Sequence, residues 1–336
     1  MKKLSIIVAV ALLLVLAGAM PVAAQAPDEV WVCPTGDCGH GADGFNSVQA
    51  AIDAVAENGT VSVYPGTYYT GISKTGVDPA TGGSGGNSFI IFVGKAGVKI
   101  RGVDASGDPV ASYDSVAANI VATEAAPSFG SSTLFVQADD VEIVGLEITA
   151  HESSANKTIE VIGDNVRIAH CKINTFGAGA IYINDFRFNE TTSTSHVQSY
   201  LIDGNYLNSG AIALASGAGY SGSVDNRIIR NNLIKDLALS AYDLYGIGFR
   251  GANSEVAWYV YPVGAAQITG NRFENGKPRG YVYADGEGYA SLDWNAILAG
   301  NTFDRAVVVY EDGTTDVRAD SLVTGAPNRR RIGTSI

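Results

Sequence analysis

Cysteine is scarce in this chain: the 336 residues hold three, and their spacing does not suit a zinc site, because no second Cys or His pair follows Cys33 and Cys38. Charge is also sparse, at 17% of residues. After residue 24 no segment is long and apolar enough to span a membrane. There is no Gly-rich strand-to-helix phosphate loop, which argues against a nucleotide-dependent enzyme. A Pro/Ser-rich linker between two compositions is missing as well, so the length reads as one elongated unit rather than two domains. What is abundant is glycine, with 40 residues, and many glycines among few charges suggest short strands joined by many turns.

The first 24 residues read as an export signal. Lys2 and Lys3 form the charged start, Leu4 to Leu16 the apolar core, and Val22-Ala23-Ala24 the small-residue cleavage site. The formal net charge is −12, and removing Lys2 and Lys3 takes it to −14. A field of that sign repels nucleic acid and anionic membrane surfaces and favours solubility outside the cell. The expected location is therefore secreted or cell-surface, with no nucleic-acid partner and no transmembrane segment in the mature chain. In an oxidising compartment Cys33 and Cys38, which enclose Pro-Thr-Gly-Asp, read as a small disulfide loop. Cys171 is left as an unpaired, buried thiol.

A short phrase recurs down the chain, with an apolar residue two positions before a Gly or Asn turn and another apolar residue after it. It runs VEIVGLEI (Val141 to Ile148), VRIAHCKI (Val166 to Ile173), YLIDGNYL (Tyr200 to Leu207), RIIRNNLI (Arg227 to Ile234), AQITGNRF (Ala266 to Phe273) and AILAGNTF (Ala296 to Phe303), with a weaker copy at Val98 to Ala105. In register, Ile100, Ile143, Ile168, Ile202, Ile229, Ile268 and Leu298 form one column, and Asn205, Asn232, Asn271 and Asn301 another. A second, alternating phrase lies between the copies, with inward residues at Ile91, Leu134, Ile159, Ile181, Ile212, Ile247, Val282 and Val307. The shortest repeat, about 22 residues, suits three short strands with tight bends at about 3.3 Å per residue. Stacked coils would bury the Ile and Val columns, while asparagine at a fixed bend tolerates left-handed angles and can bond the next asparagine in a ladder.

Ahead of the repeats, Phe45, Val48, Ile52 and Val55 recur at helical spacing, with Asn46 or Ser47 as the cap and Gly59 at the end. Such a helix would plug the coil stack before a first strand at Thr60 to Tyr64. This stretch followed by the I-x-G-N-x-F repeats resembles the pectin-lyase-like superfamily of right-handed parallel β-helices, from about Trp31 to Tyr310. The resemblance implies an all-β, single-stranded right-handed parallel β-helix of about eight coils with an amphipathic capping helix. The expected boundaries are 1–24 for the signal, 25–59 for the N-terminal segment and helix, 60–312 for the β-helix and 313–336 for a tail or partial cap.

Four connections leave the same strand position and are long: Asp185–Ser199, Ser216–Asn226, Gly251–Ala265 and Asp285–Asn295. They should wall a groove, and their aromatic residues, with Trp258, Tyr261, Tyr289 and Trp294 foremost, suit the apolar faces of sugars. Alternation gives two outward rows on the grooved strand. One runs Phe92, Phe135, Glu160, Tyr182, Ala213, Gly248, Tyr283 and Val308; the other runs Gly94, Gln137, Ile162, Asn184, Ala215, Arg250, Asp285 and Tyr310. Tyr182 and Asn184 are candidate substrate contacts. A lyase acting on a uronate polymer needs a base for the proton α to a carboxylate and a cation for the enolate, so Arg250, Tyr283 and Asp285 are the candidate catalytic residues. A hydrolase would draw on Asp243, Glu255, Asp285, Glu287 and Asp293 instead.

Catalytic motifs of the superfamily are largely missing. The chain has no Asn-Thr-Asp with His-Gly and Arg-Ile-Lys, as in polygalacturonases, and no Trp-Ile-Asp-His, as in pectate lyases. Tyr242-Asp243-Leu244-Tyr245-Gly246 only approximates the pectin methylesterase strand. Asp139-Asp140 reads as an Asx-type bend. The pairs Glu142 with Arg167, Glu147 with Lys172, and Asp203 with Arg230 read as a cross-coil ion ladder. No cofactor is expected, and no ligand set is assigned for calcium. The partner expected is a polysaccharide or cell-surface glycan, bound and cleaved or only bound, and the competing reading is a structural or adhesive envelope protein.

Overall fold

The computed structural model describes residues 25–39, 44–77, 84–125, 131–153, 157–176, 179–184, 197–215, 226–235, 247–250, 267–274, 282–285, 299–303, 307–311 and 316–320. They form three long sheets of nine, eight and eight strands. From Thr60 the chain enters the first sheet (Thr60–Val63), then the second (Gly66–Thr70), then the third (Ser84–Val93). The same circuit restarts at Lys99, Glu142, Val166, Tyr200, Arg227 and Gln267. Each strand pairs in parallel with its counterparts one coil before and after, as in Ile143 opposite Ile100 and Ile168, or Ile148 opposite Ile120 and Ile173. The chain is therefore a parallel β-helix.

Because every coil's backbone bonds to its neighbours, the inward side chains stack on like residues and form one continuous core. Ile100, Ile143, Ile168, Ile202, Ile229 and Ile268 are at most 2% exposed and line the first sheet. Ile120, Ile148, Ile173, Leu207, Ile234 and Phe273 line the second, and Ile91, Leu134, Ile159, Ile181 and Ile212 the third. Leu298 lies outside the described residues.

Helix α1 (Val48–Ala54) is capped by Ser47, whose Oγ accepts from the Ala50 N–H at 3.3 Å, and it buries Val48, Ala51 and Ile52. Gln49 fixes the helix to the third sheet, its Oε1 accepting from Phe92 N at 2.8 Å and its Nε2 donating to Phe92 O at 3.1 Å. The Lys95 ammonium donates to the carbonyls of Asp53 and Val55, both at 2.6 Å, at the negative end of the helix. The stack begins earlier than Thr60, however. Glu29–Val32 pairs in parallel with Thr60–Val63, and Gly44–Phe45 pairs with it in turn, so the first sheet extends past the helix. At the other end Val307–Glu311 packs beside Val282–Asp285, and its backbone ladder is antiparallel, to Asp316–Asp320.

The bend between the first and second sheets carries the asparagine ladder. Asn232 Oδ1 accepts from Asn205 N at 3.0 Å and from Asn205 Nδ2 at 2.9 Å, while Asn232 Nδ2 donates to Ile202 O at 3.0 Å and to Asn271 Oδ1 at 2.9 Å. Asn271 and Asn301 repeat the pattern one coil on. All four amides are at most 5% exposed. One expectation is corrected here: the left-handed residue is the one before the ladder asparagine. Gly145, His170, Gly204, Asn231 and Gly270 hold φ between 56° and 67°, and none of the ladder asparagines does. A left-handed residue turns the chain so that the next side chain points inward, and there an amide can reach the carbonyl of the coil before.

Candidate functional site

The outward positions of the third sheet depend on a bend inside each strand. Ile90 and Ile91, Thr133 and Leu134, Thr158 and Ile159, and Ala180 and Ile181 are consecutive buried pairs, so the strand does not alternate there. The residues on either side, three apart in sequence, then share the outer face: Phe89 with Phe92, Lys157 with Glu160. In the early coils this face is closed. Phe89 and Phe135 are fully buried and stacked at 4.2 Å with 12° between ring planes, with Phe92 and Ile162 against them.

The next coil places charge in that closed layer. Lys157 Nζ donates to Glu160 Oε1 at 2.6 Å, with the two side chains 5% and 0% exposed. The Tyr182 ring, 7% exposed and one coil on, lies 4.5 Å from the Lys157 ammonium, a cation–π contact that helps compensate a charge withdrawn from water. Lys157 aligns with Gly179, which brings no side chain to the same place. Tyr182 thus faces a buried ion pair rather than open solvent.

From Tyr182 and Asn184 the ladder continues coil by coil to Ala213 and Ala215, to Gly248 and Arg250, and to Tyr283 and Asp285. Arg250 and Asp285 are register partners, as are Gly248 and Tyr283. Neighbouring strands lie about 4.8 Å apart, so the three candidate catalytic positions share two adjacent coils, in line with Tyr182 and Asn184. For Asn184, Arg250, Tyr283 and Asp285 the strand register is the described feature. Trp258, Tyr261, Tyr289 and Trp294 lie outside the described residues, as do Asp243, Glu255, Glu287 and Asp293. Among the described residues no three His, Cys, Asp or Glu side chains gather into a metal site.

Lys157 was missed by the sequence reading, although a charged pair three apart in a strand flanked by apolar outward residues marks it. Other groups have structural roles. Cys33 and Cys38 are joined as a disulfide with Cα atoms 5.7 Å apart. Cys171 is free and fully buried, and burial pushes its thiol up to about 12, which excludes a reactive thiolate at neutral pH. Asp140 and Asn165 adopt φ of 60° and 53° at the bend into the first sheet, joined by Asn165 Nδ2 to Asp140 Oδ1 at 2.7 Å. On the outer face of the first sheet Glu142 pairs with Arg167 at 3.1 Å and Asp203 with Arg230 at 2.8 Å. Glu147 is opposite Lys172 in register, but its carboxylate accepts from Asn174 Nδ2 at 2.8 Å.

These features define the class, a parallel β-helix protein with one outer sheet face sealed at its start and polar candidate positions further along. No family model matches the sequence, and no curated protein does. Among solved structures the chain is similar to a pectin methylesterase from Aspergillus niger, at 16% identity and TM-score 0.38, covering 80% of this chain and 88% of that one. It is similar to a pectin methylesterase variant in complex with a hexasaccharide, at 13% identity and TM-score 0.34, covering 86% and 84%. A pectate lyase matches at 15% identity and TM-score 0.33, covering 76% and 67%. The fold assignment rests on the sheet ladders themselves.

Proposed function

We propose that this is an exported protein that recognises an extracellular polysaccharide along the outer face of the third sheet. The observation that carries the reading is the register: Asn184 stands in line with Arg250 and Asp285, which are partner positions, and Tyr283 lies two residues before Asp285 on the same strand. A cation and a carboxylate on adjacent coils supply the pair that proton abstraction beside a carboxylate would use, so lyase chemistry is the first activity to assay. The Cys33–Cys38 disulfide supports an oxidising compartment.

The test is a glycan array combined with reducing-end and unsaturated-product assays on the folded chain. Binding of at least one polysaccharide is expected, weakened by about 1–3 kcal/mol in Trp258→Ala or Trp294→Ala, as for an aromatic anchor. If the protein is a lyase, Arg250→Ala abolishes turnover and leaves most binding. A folded chain that binds no glycan would instead favour the second reading, a structural or adhesive spacer. That reading draws on the unbroken asparagine ladder and the ion pairs spaced along the first sheet.

A further inference from the structure

Among the described residues the three outer faces differ in chemistry, and the second sheet's face combines the exposed ring of Tyr69 and the half-buried rings of Tyr113 and Tyr206 with a polar floor. The first sheet presents the ion pairs of Glu142 and Asp203, which satisfy one another. The start of the third is closed by Phe135 and the Lys157–Glu160 pair. On the second sheet an amide and hydroxyl chain crosses four coils. Thr149 Oγ1 donates to Asn119 Oδ1 at 3.3 Å, Asn174 Nδ2 to Thr149 Oγ1 at 3.2 Å, and Asn208 Nδ2 to Asn174 Oδ1 at 3.4 Å. Register sets Tyr69 at the head of the column that holds Thr149, Asn174 and Asn208, and Tyr69 is 74% exposed.

A second pair of rings stands beside the far end of this row. Tyr206 shares its short strand with Asn208, two residues away and so on the same face. The connection after the second coil's first strand brings Tyr113 over it, with ring centroids 5.9 Å apart and 36° between planes. That connection is held down by Val110, which packs where a Cβ on Gly145 would fall at 2.8 Å, so the left-handed glycine makes room for it. Neither tyrosine hydroxyl, nor Asn208 Oδ1, has a protein hydrogen-bond partner among the described residues. Both rings are half-buried and still reach solvent.

We infer that the outer face of the second sheet is a binding surface for a neutral polysaccharide, separate from the third-sheet face and independent of the function proposed for it. Aromatic rings cover the apolar faces of sugar rings, while amide oxygens and nitrogens and phenol hydroxyls bond sugar hydroxyls. The span from Tyr69 to Asn208 is four coil steps, about 20 Å at about 4.8 Å each, enough for an extended oligosaccharide. Charge selects the class. Lys172, Lys235 and Arg272 on this face are matched by Glu147, Glu274 and the nearby Asp114, and Arg272 pairs directly with Glu274. A balanced face on an acidic chain gives no attraction for a polyanion.

The experiment is affinity electrophoresis of the full chain through gels containing neutral polysaccharides (xylan, a β-glucan and a mannan), beside polygalacturonate. We expect retardation by at least one neutral polymer. Tyr206→Ala and Tyr113→Ala should each weaken it at least tenfold with an unchanged melting temperature, and Tyr206→Phe should keep most of it because the ring remains. Arg101→Ala, on the first sheet's face, should bind as the parent does. Retardation unchanged in both tyrosine-to-alanine variants would overturn the inference, as would a folded chain that no neutral polymer retards. Binding lost in Trp258→Ala but kept in Tyr206→Ala would overturn it too, while leaving the third-sheet reading intact.

Discussion

The early and late coils solve the same bend in different ways. At the corner between the first and second sheets the inward residue is Leu146, then Cys171, and only then Asn205, Asn232, Asn271 and Asn301. Cys171 is the terminal rung of the ladder. Its N–H donates to Asn205 Oδ1 at 2.9 Å, and its thiol lies 3.6 Å from Ile143 O, where an asparagine would place its amide nitrogen. The early corners are closed by apolar packing. The coils from Tyr200 onward are instead tied by directional bonds from each amide to a buried carbonyl of the coil before. Third-sheet faces differ in parallel, sealed by aromatic residues and an ion pair early and bearing the candidate site positions later.

The largest effect should come from opening the early seal. Glu160→Ala would leave the buried Lys157 ammonium without its carboxylate, which costs about 3–5 kcal/mol. The double variant Lys157→Met with Glu160→Leu should recover most of that loss in urea unfolding. A Glu160→Ala chain as stable as the parent would mean that the early face is open to water. Next is the ladder itself. Asn232→Ala withdraws bonds from Asn205 N and Ile202 O, both buried, and should cost about 2–6 kcal/mol at about 1–3 kcal/mol per stranded group.

Smaller effects sharpen the boundary between the two regions. Cys171→Asn would extend the ladder by one rung, with its Nδ2 toward Ile143 O, and should raise stability by up to about 1 kcal/mol; a loss would show that the corner at Cys171 is too tight for an amide. The smallest effect expected is at Asp203. Burial acts to raise its carboxyl, but hydrogen bonds from Arg230 and Asn231 outweigh that and hold it below its ordinary value. A depressed carboxylate stabilises the fold above its unfolded pKa, near 3.9, and that contribution disappears as pH falls through the folded value. Asp203→Asn should therefore lower the melting temperature slightly at pH 7 and not at pH 2, measured by calorimetry.

Much of this was legible from residue columns. Ile100 through Ile268, the four asparagines and the Glu142–Arg167 and Asp203–Arg230 pairs all fall where the repeat register puts them, and the short Cys33–Cys38 spacing marks the disulfide. What alternation could not give is the bend inside each third-sheet strand, where two consecutive residues point inward. That bend brings Lys157 and Glu160 to one face and buries both. The repeat also misplaces the left-handed residue by one, because Gly204 and Asn231 look like part of the same turn as the asparagines that follow them. Cys171 conceals its place in the ladder for a chemical reason: a thiol can stand in at a corner where only its backbone N–H and weak sulfur contacts, to Ile143 O and Ala169 O, are needed.

Successive amides stabilise the late coils jointly, and a double-mutant cycle on Asn205 and Asn232 measures that coupling. Because Asn232 Oδ1 accepts from both Asn205 N and Asn205 Nδ2, removing either residue should already forfeit part of what the other contributes. Asn205→Ala with Asn232→Ala should then cost less than the two single losses together, by about 1–3 kcal/mol of coupling in reversible unfolding. Strict additivity of the two losses would contradict the claim and reduce the ladder to independent corner residues.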